Sequence, residues 1–222
     1  MRLNKYLAAS TPLSRRSADT AIADGRVAVN GHAAEQGADV TEADTVTLDG
    51  KRVQPTKQTT VLLNKPRGYV VSRNGQGSRT IYDILPPEYH HLNPVGRLDK
   101  DSSGLLLLTN NGALAQELTH PSRQKRKVYI VTLDKPLEPL HRQMISDHGL
   151  QLEDGLSKLA LERHAESDET TWIVVMHEGR NRQIRRTFAA LGYAVITLHR
   201  THFGDYILGD LKSGQTRQVS LG

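Results

Sequence analysis

Residues 94–112 read PVGRLDKDSSGLLLLTNNG, so a charged loop leads directly into four consecutive leucines. The leucines lack the alternation of a half-exposed strand, and turn-forming residues bound them on both sides. This pattern predicts a short strand that is buried on both faces. The charged side chains of the preceding loop are Arg97, Asp99, Lys100 and Asp101. They lie at the edge of a packed core, where burial and neighbouring charges shift pKa values, although a solvated turn with surface ion pairs explains the same pattern.

The composition narrows the class of protein. The 222 residues carry a formal charge of +5 and contain no cysteine, which excludes disulfides, thiolate metal sites and a cysteine nucleophile. A modest positive charge favours a polyanionic partner. No apolar run approaches the ~20 residues of a membrane span, and the N-terminus has no hydrophobic signal region. We therefore expect a cytoplasmic protein that does not associate with membranes.

The first 57 residues predict two short helices followed by two hairpins. Ser14 stands where a helix N-cap is expected, and the pairs Asn30-Gly31 and Asp49-Gly50 are typical of tight two-residue turns. The cations before Lys51 all precede Val27, whereas five acidic residues, Glu35, Asp39, Glu42, Asp44 and Asp49, follow it. A basic helical face of this kind is suited to contacting phosphates. Its cations are Arg2, Lys5, Arg15, Arg16 and Arg26.

The polar segment 54–60 predicts a linker, and we place a domain boundary between residues 57 and 58. Beyond it the pattern predicts strands at 61–63, 70–71, 128–133 and 172–176 and helices at 113–118 and 137–148. A glycine turn at 179 then leads into a further helix. Arginines crowd the start of this helix, where cations are disfavoured, so an anion or a partner carboxylate is expected to compensate them. A solvated basic face is the alternative. These arginines are Arg180, Arg182, Arg185 and Arg186.

Several catalytic classes find no support in the sequence. The chain lacks a P-loop, a Gly-x-Ser-x-Gly elbow and a dinucleotide fingerprint. The pairs His90-His91 and His199-x-x-His202 have no carboxylates in a recognised ligand pattern, so we expect no metal site. What remains is a carboxylate at the edge of a buried strand, a tyrosine on another strand and an arginine-rich helix start. A carboxylate paired with arginine can act as a nucleophile or base without a metal or cofactor.

The first 55 residues resemble the S4, or αL-type, RNA-binding domain. The pieces that carry the resemblance are, in order, Arg2-Leu3-Asn4-Lys5-Tyr6, Ser14-Arg15-Arg16, Gly25-Arg26-Val27 and Val29-Asn30-Gly31. The resemblance implies binding to structured RNA, read through shape and backbone more than through sequence. A small αβ domain with a coincidentally charged helix is the alternative.

Residues 61 to about 200 resemble the RsuA/RluB/RluE/RluF family of bacterial ribosomal RNA pseudouridine synthases. Each motif is weak alone, but the four occur in the family's order. They are Asn64-Lys65-Pro66-x-Gly68, Gly96-Arg97-Leu98-Asp99 with Ser103 to Gly112, Lys127-x-Tyr129, and Glu178 to Arg186. The resemblance implies an α+β fold, with an S4 domain at 1–57. A catalytic domain at 58–222 would follow, built on a mostly antiparallel sheet flanked by helices around a central cleft.

The resemblance also implies the roles of individual residues. Asp99 matches the catalytic aspartate, Tyr129 the active-site tyrosine that stacks on the base, and Arg185 the arginine that pairs with the aspartate. Arg97 matches the basic residue that helps to displace the target base, which must leave the RNA stack before chemistry can occur. Further RNA contacts are expected from Lys65, Arg180, Arg182 and Arg186 and from the five S4 cations, Arg2, Lys5, Arg15, Arg16 and Arg26.

The sequence thus predicts a monomeric, cofactor-free enzyme that converts uridine to pseudouridine in ribosomal RNA, free or in a pre-ribosomal particle. Segments 103–110 and 177–182 look closer to the family's large-subunit enzymes, so 23S is favoured over 16S RNA. A non-catalytic S4-type RNA-binding or ribosome assembly factor is the alternative. A metal-dependent RNA hydrolase is a third hypothesis, which predicts chain cleavage and sensitivity to chelators.

Overall fold

The computed structural model describes residues 1–55, 57–166 and 168–219. The chain divides into two compact units, one of residues 1–59 with 110–112 and one of residues 60–109 with 113–222. The predicted linker 54–60 contains residue 56, which lies outside the described residues. The boundary between residues 57 and 58 stays a prediction.

The first unit has two helices and a small antiparallel sheet, in which the strands lie in the order β2 (His32–Ala33), β1 (Val27–Val29), β3 (Val46–Leu48) and β4 (Lys51–Val53). Ser14 caps the second helix as predicted, because its side chain accepts a hydrogen bond from the backbone N–H of Ser17. Both predicted hairpin turns are confirmed, with positive φ at Asn30-Gly31 and at Asp49-Gly50. The elements are α1 (Leu3–Ser10), α2 (Arg15–Ala23), β1 (Val27–Val29), β2 (His32–Ala33), β3 (Val46–Leu48) and β4 (Lys51–Val53).

The second unit contains the remaining elements. Its helices are α3 (Gly112–Thr119), α4 (Pro139–Gln143) and α5 (Gln183–Ala189), with a π-helical turn over Met144–His148 and 3₁₀ turns over Ile81–Asp83, Pro87–Tyr89 and Pro121–Arg123. Its strands are β5 (Thr60–Lys65), β6 (Asn93–Val95), β7 (Ser103–Thr109), β8 (Lys127–Leu133), β9 (Leu150–Leu152), β10 (Gly155–Ser157), β11 (Ala160–Arg163), β12 (Thr171–Met176), β13 (Val195–Phe203), β14 (Tyr206–Ile207) and β15 (Thr216–Val219).

A large sheet organises the second unit. Its main path runs β11-β12-β8-β13-β7-β5-β15, with β14 beside β13 and β6 beside β7, and β9 pairs with β10 separately. Strands β13 and β7 are parallel, whereas the other strand pairs of this sheet are antiparallel. The fold is therefore α+β with a mostly antiparallel sheet, as the sequence predicts.

The four leucines of β7 form the interior of this sheet, and each is 0% exposed. Leu106 and Leu108 belong to the hydrophobic cluster on one face, together with Trp172 and Phe188. Leu105 and Leu107 belong to a second cluster on the other face. Burial on both faces explains why the run shows no polar alternation.

The structure differs from the predicted elements in three places. β5 continues through Asn64 to Lys65 instead of ending at residue 63, because both side chains are buried. The predicted strand at 70–71 is reduced to an isolated bridge between Val70 and Thr80. The predicted helix at 137–148 begins at Pro139 and changes to a π-helical turn at Met144.

Candidate active site

The loop of residues 96–102 joins β6 to β7 and faces an open cavity of about 520 Å³. The Asp99 side chain lies at the cavity wall and is 35% exposed. Residues from the start of α5 and from strands β8 and β13 complete the wall. The predicted site residues that line the cavity are Arg97, Asp99, Tyr129, Arg180 and Arg182.

Arg182 is the cation that faces Asp99. Its Nη1 lies 3.6 Å from Asp99 Oδ2. The same guanidinium donates hydrogen bonds of 3.2 and 3.1 Å to the two carboxylate oxygens of Asp101. Arg182 is the residue directly before α5 and has left-handed backbone, with φ of 45°. The helix start therefore presents a guanidinium that contacts both carboxylates of the loop.

The predicted pair between Asp99 and Arg185 requires a correction. Among the described residues, the ion pair of Arg185 is with Asp101, at 3.3 Å between Nε and Oδ2. Its Nη2 donates to the backbone carbonyl of Asp101 at 3.2 Å, and its Nη1 donates to that of Val195 at 2.7 Å. The reason is position: Arg185 lies inside the first turn of α5 and is only 12% exposed, whereas Arg182 precedes the helix and is 45% exposed.

Asp101 thus has two guanidinium partners. Partial burial by itself raises the pKa of this carboxyl, but the Arg182 hydrogen bonds and the charges of Arg185 and Arg182 outweigh it, so the pKa lies below its usual value. An ionised Asp101 keeps both arginines in place. The contacts of Arg185 with this loop are thus made to Asp101, while the charge of Asp99 acts on Arg185 at longer range.

Lys65 was expected to contact RNA, and the structure corrects this prediction. The side chain is 0% exposed at the end of β5. Its Nζ donates to the backbone carbonyls of Ser102 at 2.7 Å, Pro66 at 3.0 Å and Asp99 at 3.1 Å. Burial lowers the pKa of Lys65 to about 8, against the opposing charges of Asp101 and Asp99. Lys65 therefore fixes the backbone of the Asp99 loop from beneath.

Tyr129 and Arg97 lie on the cavity in different ways. Tyr129 belongs to β8 and is 8% exposed, so its ring is held in the core at the cavity wall. Arg97 is exposed and has no ion pair within residues 1–55, 57–166 and 168–219. An exposed guanidinium without an ion pair, beside a buried aromatic ring, suits the expected displacement of a base.

Arg180 and Arg186 are held by a carboxylate of the protein. Arg180 Nη1 donates to Asp154 Oδ1 at 2.9 Å, and Arg186 Nη2 donates to Asp154 Oδ2 at 2.6 Å. The hydrogen bond from Arg186 is the main cause that lowers the pKa of Asp154. Asp154 is thus a partner carboxylate of the kind that the sequence predicts for these arginines. That these two arginines also contact RNA stays a prediction.

The five predicted cations of the first unit separate into two groups. Arg26 pairs with Asp49 at 2.6 Å, and Arg2 pairs with Asp39 at 3.5 Å and also donates to the carbonyl of Gly37. The other three are exposed on α1 and α2, without an ion pair in the described part of the chain. They are Lys5, Arg15 and Arg16.

Three cations of the cavity wall are absent from the predicted site. One of them, Lys125, pairs with Glu117. In the sequence, Lys127 belongs to the Lys-x-Tyr motif and to a basic segment that leads into β8, and no role is predicted for Arg200. Both line the cavity, on β8 and β13. The signal for Arg200 was a charged residue inside an otherwise strand-like stretch, since an arginine is almost never fully buried without a reason.

Within the described ranges, histidine and carboxylate side chains do not gather in a group of three or more able to hold a metal ion. Within the same ranges, no helix has the length and apolar character needed to cross a membrane.

Comparison with known proteins agrees with this architecture. Residues 59–190 match the family model described as RNA pseudouridylate synthase, and residues 1–46 match the S4 domain. A solved structure titled as a crystal structure of pseudouridylate synthase superimposes with a TM-score of 0.69 at 30% identity, covering 99% of this chain and 96% of that one.

Curated relatives match along nearly the whole chain. A protein of Bacillus subtilis (strain 168) named ribosomal large subunit pseudouridine synthase B is 36% identical, over 99% of this chain and 92% of that protein. A protein of Pasteurella multocida (strain Pm70) named ribosomal small subunit pseudouridine synthase A is 35% identical, over 99% and 96%. An uncharacterized RNA pseudouridine synthase of Aquifex aeolicus (strain VF5) is 35% identical, over 100% and 91%. The chain belongs to the RNA pseudouridylate synthase family and carries an S4 domain at its N-terminal end.

Proposed function

We propose that this chain converts uridine to pseudouridine in ribosomal RNA and that the Asp99 carboxylate starts the reaction. The observation that carries the proposal is the juxtaposition of Asp99, Tyr129 and Arg182 on one cavity, with Arg182 Nη1 3.6 Å from the carboxylate. The names of the relatives, which refer to ribosomal subunits, support the choice of RNA.

The reaction is an isomerisation, so it balances without a co-reactant. The bond between N1 of uracil and C1′ of ribose breaks, a bond between C5 and C1′ forms, C5 loses its proton and N1 ends protonated. Asp99 has three chemically distinct ways to begin: attack on C1′ to give an ester, attack on the ring to give an adduct, or removal of a ribose proton to give a glycal. Each requires a carboxylate within reach of an extruded uridine.

The remaining cavity residues have separate tasks in this proposal. Tyr129 stacks on the uracil while it rotates and assists removal of the C5 proton. Arg97 fills the space that the extruded base leaves in the RNA stack. Arg182 orients the Asp99 carboxylate, and Arg185 supports the loop through Asp101. Residues of α1 and α2 in the S4 domain hold the surrounding RNA by its phosphates.

For the subunit we favour 23S RNA, on the large-subunit character of segments 103–110 and 177–182. Relatives named for either subunit have similar identities, 36% and 35%, so identity does not discriminate between them. Separate incubation with 23S and 16S transcripts, and with pre-ribosomal particles, identifies the substrate by the RNA in which pseudouridine forms.

The experiment that tests the proposal compares Asp99→Asn with wild type and with Asp147→Asn. Asp147 is an exposed aspartate outside the cavity lining, so its variant removes a carboxylate without touching the site. Pseudouridine is mapped in ribosomal RNA transcripts, without added metal or cofactor and in the presence of a chelator. We expect product from wild type and Asp147→Asn and none from Asp99→Asn, with equal RNA binding by all three.

Other results would favour the alternatives. RNA binding without product from any variant supports a non-catalytic RNA-binding or assembly factor. Cleavage of the RNA chain that the chelator abolishes supports a metal-dependent hydrolase. Product formed equally well by Asp99→Asn contradicts the role of Asp99 but not the isomerisation.

A further inference from the structure

A buried arginine of β13 has a guanidinium nitrogen without a hydrogen-bond partner in the described part of the chain. Arg200 is 2% exposed and lines the cavity. Its Nε donates to the carbonyl of Leu105 at 2.8 Å, but its buried Nη2 has no hydrogen-bond partner among the described residues. A buried guanidinium with unused donors is costly unless a ligand completes its hydrogen bonds.

Arg200 and a second cation, Lys127, both lie over the ring of Phe203. The guanidinium carbon of Arg200 is 4.7 Å from the centre of the Phe203 ring, and Lys127 Nζ is 5.4 Å from that centre. Lys127 Nζ reaches only backbone carbonyls, those of Lys125 and Glu178, each at 3.3 Å. Burial, and then the charge of Arg200, lower the pKa of Lys127. The charge of Glu178 opposes this shift, but neither cation forms an ion pair within the described ranges.

The strand register explains how both cations reach the cavity. Arg200 lies opposite Tyr129 and Phe203 lies opposite Lys127 in the pairing of β13 with β8, with an irregularity between Arg200 and His202. The extra residue on β13 is Thr201. This bulge places Arg200 and Phe203, three residues apart, on the face that carries Lys127 and Tyr129, because a bulge re-aims side chains relative to a regular strand.

An anion that both cations share would remove their repulsion and complete the donors of Arg200. In an RNA strand that anion is a phosphodiester, which suits the planar, forked donor set of arginine and the point charge of lysine. We propose that Arg200 and Lys127 form a subsite for the phosphodiester that flanks the target uridine. The proposal rests on the proposed function, because it takes the base to stack at Tyr129.

A phosphate subsite would also hold the ribose in place during the reaction. Once the bond between base and ribose is broken, contacts to the base no longer hold the ribose. The C1′ atom must stay in place while the uracil rotates, and contacts to the RNA backbone can keep it there in the routes in which Asp99 forms no ester with C1′. A phosphate held beside Tyr129 immobilises the ribose next to the rotating base.

The test measures binding of a ribosomal RNA transcript by Lys127→Gln, Arg200→Gln and the double variant, over a range of salt concentrations. Lys135→Gln and Arg163→Gln are matched controls, because these cations also lie over aromatic rings, Tyr193 and Trp172, but do not line the cavity. Each contact to one phosphate contributes about 0.7 to 0.9 to the slope of log affinity against log salt.

We expect each cavity variant to bind about tenfold more weakly at low salt and to lose about one phosphate contact in slope. The double variant should lose no more slope than either single one, because both residues hold the same phosphate, and the controls should bind like wild type. Slopes unchanged in the cavity variants, slopes lowered equally in the controls, or twice the loss in the double variant would overturn the proposal.

Two checks keep the result unambiguous. Arg200→Gln removes the Leu105 hydrogen bond, so its fold is verified by circular dichroism, and Lys127→Gln probes the same subsite without touching that bond. All binding is repeated in the Asp99→Asn background, where the proposed function predicts no turnover. A failure of the binding prediction is thereby separated from a failure of the chain to form pseudouridine.

Discussion

Arg182 holds its guanidinium 3.6 Å from the carboxylate of Asp99 while its own backbone is left-handed. This conformation costs a non-glycine residue of order 1 kcal/mol and is common at functional sites. A regular helical backbone at residue 182 would direct the side chain elsewhere. The left-handed backbone of Arg182 therefore sets the position of its guanidinium beside Asp99.

Replacing Arg182 by glycine separates these two properties. Glycine adopts the left-handed backbone freely, so we expect the free energy of unfolding to change by less than about 1 kcal/mol, since the lost contacts to Asp101 are partly exposed. Pseudouridine formation should fall at least about tenfold, because nothing then orients Asp99. Gln76→Gly is the control, since Gln76 also has φ of 45° but lies outside the cavity. Activity retained by Arg182→Gly would contradict the orienting role.

Replacing Lys65 by methionine should destabilise the protein by about 2 kcal/mol at pH 7, because the buried carbonyls of Asp99 and Ser102 lose their donor. The pH dependence has a definite sign. The folded pKa is about 8 and the ordinary value is 10.5, so between these values the unfolded chain binds the proton and the folded chain does not. Wild-type stability should therefore rise by about 1 kcal/mol from pH 8 to pH 9 relative to Lys65→Met.

Urea unfolding of both proteins at pH 7, 8 and 9 measures this difference. The methionine variant is the reference for every other titrating group, because only residue 65 differs. Parallel stability curves for the two proteins over this range would show that Lys65 does not lose its proton near pH 8.

Gly104 should not tolerate a side chain. A Cβ at this position would lie 2.2 Å from the carbonyl oxygen of Arg200 and 2.6 Å from its nitrogen, and φ is +103°. We expect Gly104→Ala to cost about 3 kcal/mol or more, or to prevent folding, because β7 and β13 would have to separate. Gly112→Ala is the matched control, with no atom within 4 Å of its Cβ and no positive φ. Thermal unfolding of the two variants measures the contrast, and equal melting temperatures would refute it.

In the S4 domain, exposed cations without an acidic partner should contribute most to RNA affinity. Neutralising Arg15 or Arg16 with glutamine should each lower the salt slope of RNA binding by about 0.7 to 0.9. Arg26→Gln should have a smaller effect, because its guanidinium already forms two hydrogen bonds with Asp49. Titration of an rRNA transcript at several salt concentrations gives the three slopes. A loss for Arg26→Gln as large as that for Arg15→Gln would contradict this ranking.

Much of the fold can be predicted from local sequence patterns. The uninterrupted leucines of 105–108 predict a strand buried on both faces, and Asn30-Gly31 predicts its hairpin through the positive φ that both residues adopt. Such features depend on a few neighbouring residues. The strand expected at 70–71 fails because its apolar pair has no neighbouring strand beyond the single bridge to Thr80.

The candidate active site is harder to predict, because its contacts join segments that are far apart in the sequence. Which arginine meets Asp99 depends on the left-handed turn at Arg182, and no local pattern distinguishes that residue from Arg185. Lys65 looks like a surface lysine until the sheet places it beneath the Asp99 loop. Arg200 reaches the cavity because of a bulge at Thr201. This bulge lies in the pairing of β13 with β8, a strand about 70 residues earlier in the chain. Sequence motifs locate the segments that meet, but packing decides which side chains touch.

Lys65 holds the 96–102 loop through backbone carbonyl oxygens alone, and this affects which positions of the loop can vary in sequence. These hydrogen bonds do not depend on the side chain of Lys100, which is exposed and donates to Ser78 Oγ at 3.1 Å, so this position is open to evolutionary change or to design. New RNA preferences can thus arise at the rim of the cavity while the main chain that presents Asp99 is inherited unaltered.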